Sequence, residues 1–212
     1  MKKILLAASA AAAAFAAVPA QSGVVVTSAT GIGTVPSNNE FVAQLGGTSV
    51  LLTGVSLNLT AATKLVFEYV GSESGFKNTF SFTSTTTSGS YNETNTSMEN
   101  LFASPLLIGV GTYNAGSLDS YMKFTSVFGD FAPGTTEFGL VAAPGYTIGG
   151  DLSQFYLVFD DNGAGPDDNH DDYIVRVTVV PEPTTWALMI AGIAAVGVSL
   201  RRRSQNVRVA FS

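Results

Sequence analysis

The run Lys64–Val70, KLVFEYV, alternates along its length, with Leu65, Phe67 and Tyr69 on one face and Val66, Glu68 and Val70 on the other. A side-chain period of two, rich in aromatic and β-branched residues, marks a half-buried strand and would scatter its apolar groups around a helix. The same pattern recurs in Asn78–Thr83 (Phe80, Phe82), Gln154–Phe159 (Phe155, Leu157, Phe159) and Tyr173–Val179 (Tyr173, Val175, Val177, Val179). Further candidates are Gly23–Thr27, Ser49–Thr60, Leu106–Val110, Ser120–Phe128 and Thr136–Val141. Clusters such as Gly71–Gly75 and Ala132-Pro133-Gly134 punctuate turns between them. Only Glu99–Ser104 hints at a short helix, and the Ser/Thr-rich segment Ser81–Ser97 reads either as a loop or as a strand pair wet on both faces. About eight to ten short strands separated by turns predict an all-β body, an antiparallel β-sandwich of jelly-roll type. No period of roughly 20–50 residues argues for a solenoid.

Both ends of the chain differ from this body. Residues 1–22, MKKILLAASAAAAAFAAVPAQS, place Lys2 and Lys3 before an uncharged Ala/Leu-rich run that ends in Val18-Pro19-Ala20. That is the layout of a secretory signal peptide over residues 1–20, with cleavage after Ala20. The C-terminus runs VVPEPTTWALMIAGIAAVGVSLRRRS over residues 179–204. Pro181 and Pro183 end the last strand, because proline neither donates to a ladder nor enters a helix interior. The uncharged residues 184–200 then predict a single transmembrane helix, and Arg201, Arg202 and Arg203 a basic stop on the cytoplasmic side. The resulting division is signal peptide 1–20, β body 21–180, a C-terminal segment 181–204 and a cytoplasmic tail 205–212.

The body is acidic. Between residues 21 and 180 fifteen Asp and Glu face only Lys64, Lys77, Lys123 and Arg176, a net charge of −11 against −6 for the whole chain. Phosphate binding requires clustered basic side chains, so nucleic acid is excluded as a partner. About 160 residues suffice for one domain with its own core. The chain has no cysteine, which removes disulfides, thiol catalysis and thiolate metal sites from an exported protein.

Chemistry concentrates in FDDNGAGPDDNHDDYIVRV, residues 159–177, where six Asp and two Asn fall between Asp160 and Asp172. Oxygen-rich ligands around a Gly turn are what Ca²⁺ selects, and Asp160, Asn162, Asp167, Asp168, Asp171 and Asp172 are the candidate ligands. An EF-hand does not fit, since Ala164 occupies its fifth position, Asp171 its twelfth, and strands flank the loop. The competing reading is a solvated acidic turn, in which Asp and Asn simply favour turn conformations. His170, the sole histidine, then reads as a surface loop residue, because one imidazole without cysteine rarely makes a zinc site. No Ser lies in a nucleophile-elbow setting, and the sole tryptophan, Trp186, lies outside the body. The body is therefore expected not to be an enzyme. The alternative is a secreted carbohydrate-active enzyme with paired carboxylates.

The C-terminal segment resembles the PEP-CTERM sorting signal of Gram-negative bacteria. The likeness rests on Val180-Pro181-Glu182-Pro183, on Trp186 and the run to Gly192, on Gly197, and on Arg201–Arg203. One departure is the added NVRVAFS after the basic cluster. The resemblance implies an exosortase as partner and cleavage near Pro181, Glu182 and Pro183. It also implies passage through an inner-membrane intermediate to the cell surface or the medium, in exopolysaccharide-producing, biofilm-forming bacteria. Extracellular polysaccharide is the partner it suggests for the body. The acidic hairpin carries a second resemblance, to the domain called DUF4114, through Asp167, Asp172 and Ile174-Val175-Arg176-Val177. It departs at Asn169, His170 and Asp171.

Overall fold

The computed structural model describes residues 23–93, 97–161, 168–180 and 183–204. The signal peptide expected over 1–20 with its cleavage at Ala20, Asn162, Asp167, Pro181, Glu182 and the tail 205–212 lie outside the described residues. Contacts divide the chain into Ser22–Val180 and a terminal unit that includes the helix Pro183–Ser204.

In chain order the strands are β1 (Val24–Ser28), β2 (Gly31–Thr34), β3 (Val50–Thr53), β4 (Ser56–Leu59), β5 (Thr63–Ser72), β6 (Thr79–Thr83), β7 (Ser88–Asn92) and β8 (Glu99–Asn100). There follow β9 (Leu106–Tyr113), β10 (Gly116–Ser117), β11 (Met122–Ser126), β12 (Gly129–Phe131), β13 (Phe138–Ala142), β14 (Asp151–Leu152), β15 (Gln154–Phe159) and β16 (Tyr173–Val180). All pairings are antiparallel. The largest sheet runs β2-β3-β13-β15-β16-β5-β8, with β9 also paired to β5; two four-stranded sheets run β10-β4-β1-β14 and β12-β11-β6-β7. The all-β, antiparallel class is thus established, while the jelly-roll connection is not shown by this order.

One face of the large sheet and the inner faces of both smaller sheets share a single core. Leu65, Phe67 and Tyr69 from β5, and Tyr173, Val175, Val177 and Val179 from β16, all point into it. Phe124 of β11 is fully buried and stacks on Phe159 with centroids 4.9 Å apart, while touching the rings of Phe80, Phe138 and Tyr173. The opposite face of the large sheet carries a second cluster, in which Val70, Val141, Val158 and Ile174 meet Phe41 and Leu45. Phe41 and Leu45 come from the short helical turn around Val42–Leu45. Covered on both faces, β13 is buried throughout, so FGLVA shows no polar alternation.

Some expectations are corrected. Ser49–Thr60 is two strands, broken at Gly54, where φ is 57° and a Cβ would run into Thr30. Glu99–Ser104 is not helical: Glu99 and Asn100 pair with Ser72 and Gly71 as β8, and Ser104 N–H closes a turn on Leu101 O at 2.9 Å. The sheet edge supplies backbone partners that a one-turn helix would lack. Of the two readings of Ser81–Ser97, the strand pair forms as far as Asn92, with β6 and β7 joined across Ser84–Thr87, but it is not wet on both faces: Phe82 is buried in the core and Tyr91 packs against it.

The C-terminal segment is helical over 22 residues, Pro183–Ser204. Among the described residues, however, no helix is long and apolar enough to cross a membrane, which corrects the transmembrane helix expected over 184–200. Thr184, Thr185, Gly192, Gly197 and Ser199 dilute the run, and what remains falls short of the ~20 predominantly apolar residues a hydrocarbon core requires.

Candidate functional site

The acidic stretch joins β15 to β16, and the ladder continues past both strand ends. Asp160 N–H donates to Glu137 O at 3.1 Å, and Asp172 N–H to Phe159 O at 3.1 Å. Asp168 is exposed, but Asp160, Asp161, Asn169, His170 and Asp171 are all buried. For these residues the solvated-turn reading is overturned, and so is the placing of His170 at the surface. Two distant segments clamp the turn. Asn39 Nδ2 donates to Asn169 O at 3.0 Å, and Glu40 N–H to Asp171 Oδ2 at 2.7 Å. From the loop after β5, Glu73 N–H donates to Asp171 O at 3.0 Å, while Ser74 Oγ and Asn78 Nδ2 both donate to Asp161 Oδ2.

Burying carboxylates side by side raises their proton affinity. Asp172 is pushed up to about 8, mainly by burial and then by the charges of Asp161, Asp160 and Asp171, although Asp161 N–H bonds its Oδ2 at 2.8 Å. Glu93 is pushed up to about 7, again mainly by burial, with Asp161 and Glu99 adding to it and Asn78 N–H opposing it at 3.0 Å. Arg176 is engaged elsewhere, with Glu68 at 2.9 Å across the β16–β5 ladder. Asp161 Oδ2, Asp171 Oδ2 and Asp172 Oδ2 thus bond to backbone N–H groups or neutral side chains, contacts that fix a loop.

Two groups of side chains each bring one ligand atom per residue to within 4.8 Å of the others: Asp160, Asp168 and His170, and Glu73, Asp171 and Asp172. The expected calcium ligands therefore divide. Asp160 and Asp168 fall in the first group, Asp171 and Asp172 in the second, and Asn162 and Asp167 lie outside the described residues. Sequence reasoning missed Glu73, Ser74, Asn78 and Glu93. Glu73 and Ser74 sit in a Gly/Ser turn read only as punctuation, yet that turn follows the strand that pairs with β16. A pocket on the body, lined by Leu45, Ser49, Val141, Gln154 and Tyr156 among others, has no carboxylate in its wall.

The body ends where the C-terminal signal begins. β16 stops at Val180, Pro183 opens the helix, and Trp186 and Arg201–Arg203 fall within it. Residues 179–203 match the PEP-CTERM protein-sorting motif. The match covers the sorting segment and does not reach the acidic hairpin, so it leaves the DUF4114 likeness unconfirmed. No curated protein and no solved structure matches the chain. A PEP-CTERM motif marks an exported protein that an exosortase sorts at the membrane.

Proposed function

We propose that this chain is a non-enzymatic surface or matrix protein, with the β body as its working part and the polysaccharide of the cell surface as its partner. The observation that carries this reading is the PEP-CTERM match directly after the last strand. An exosortase acting near Pro181-Glu182-Pro183 would release the body without cutting into a strand. Until then the C-terminal helix holds the chain at the inner membrane, where Arg201–Arg203 can meet anionic headgroups. Met189, Ile190, Ile193 and Val198 are exposed on that helix, apolar surface that lipid would cover. A non-enzymatic role is supported by the carboxylates of Asp161, Asp171 and Asp172, which are engaged in holding a turn.

Intact mass of the protein from native cells and from their medium tests the proposal. Wild type is expected to yield a species that begins near Gln21 and ends near Pro183, at the surface or outside. A Glu182→Ala variant should keep its C-terminal segment and stay with the membrane fraction. Identical maturation of the two would refute sorting at this motif. Hydrolysis of a polysaccharide by the purified body would refute the non-enzymatic reading.

A further inference from the structure

We propose that Asp160, Asp168 and His170 bind one divalent transition-metal ion, of the kind represented by Zn²⁺. The site goes beyond the sorting reading and does not rest on it. Its ligand atoms lie within 4.8 Å of one another. The decisive member is His170, which is 4% exposed. Its Nε2 stands 3.0 Å from Thr136 O. A carbonyl only accepts, so Nε2 carries the hydrogen and Nδ1 of the neutral ring is left with a lone pair. Nδ1 has no hydrogen-bond partner, and it faces Asp168 Oδ1 at 3.4 Å. A lone pair opposite a carboxylate oxygen is repulsive, unless a proton or a metal cation sits between them.

The surroundings are those of a ligand. An imidazole that donates its far N–H to a backbone carbonyl is held in the tautomer and orientation that metal-binding histidines adopt. The ring also packs on Gly139, where a Cβ would come within 2.9 Å of His170 Cδ2 and 2.8 Å of Val158 Cγ2. Two ligands bound tetrahedrally at about 2.0–2.1 Å lie about 3.4 Å apart, which is the separation of Nδ1 from Asp168 Oδ1. One nitrogen with two carboxylates suits zinc and its neighbours, whereas Ca²⁺ takes oxygen throughout. The two carboxylates supply the charge that offsets a divalent ion, and exposed Asp168 lies on the solvent side of the buried pair.

The test uses the untagged full-length chain in detergent, stripped with EDTA and titrated with Zn²⁺ by calorimetry. One Zn²⁺ per chain is expected. Asp168→Asn, at an exposed position, and His170→Asn, which tolerates the left-handed φ of 58°, should each weaken binding at least tenfold. The Asp168→Asn chain should melt in EDTA at the wild-type temperature, which separates loss of a ligand from loss of the fold. A 100-fold excess of Ca²⁺ should leave Zn²⁺ in place. No Zn²⁺ binding by the wild type would leave His170 and Asp168 a simple ion pair and overturn the proposal. So would wild-type affinity in both variants, or displacement of Zn²⁺ by equimolar Ca²⁺.

Discussion

Asp172 and Glu93 are acids that the folded body holds protonated far above the ordinary carboxylate range, with folded values of about 8 and about 7. The unfolded chain releases those protons nearer pH 4, so between that point and pH 8 the folded state binds more protons than the unfolded one. Their stabilising contribution is complete below about pH 4 and is lost as pH rises through 7 and 8. We predict that in EDTA the protein melts at a lower temperature at pH 8.5 than at pH 5.5, as followed by circular dichroism. An equal or higher melting temperature at pH 8.5 would show that these groups are not buried as described. At this scale the sequence announced the crowd of Asp and Asn between 160 and 172, but not its burial. Burial depends on Asn39, Ser74 and Asn78, which approach from 83 to 130 positions away. No local pattern encodes such an approach. His170 was misplaced for the same reason, since the carbonyl of Thr136 that fixes it lies 34 residues upstream.

Among the elements, β11 fastens a small sheet to the large one, and Phe124 is its point of attachment. Truncating a fully buried aromatic leaves a cavity that its neighbours refill only in part. We predict that Phe124→Ala lowers the free energy of unfolding by about 3–5 kcal/mol in urea melts. Val127→Ser, at the exposed turn after β11, should stay within about 0.5 kcal/mol of wild type. A change at Phe124 no larger than that at Val127 would remove the residue from the core. Strands with one wet face were legible: Gln154–Phe159 is observed with the bounds expected, Tyr173–Val179 extends by one residue, and Lys64–Val70 by one at its start and two at its end. Short edge strands were not. β8, β10 and β14 have two residues each, too few to display a period, and exist because a longer neighbour offers them hydrogen bonds.

For the whole molecule, the body is one unit by its contacts, bounded at Ser22 and Val180. We predict that a chain stopped after Val180 folds and melts within about 2 °C of the full-length protein, because both hydrophobic clusters lie inside that boundary. Failure of the shortened chain to fold would mean that residues beyond Val180 contribute to the body. The place where the chain leaves the body has a mechanical consequence. β16 is an interior strand, held by β15 on one side and β5 on the other, and Thr63 Oγ1 clips Val180 O at 2.7 Å. Tension applied along β16 from its C-terminal end loads two ladders at once, in shear, instead of peeling bonds away singly. A body drawn by its tail in this direction yields only when many bonds break together, so the strand that runs into the sorting motif is fitted to bear a load.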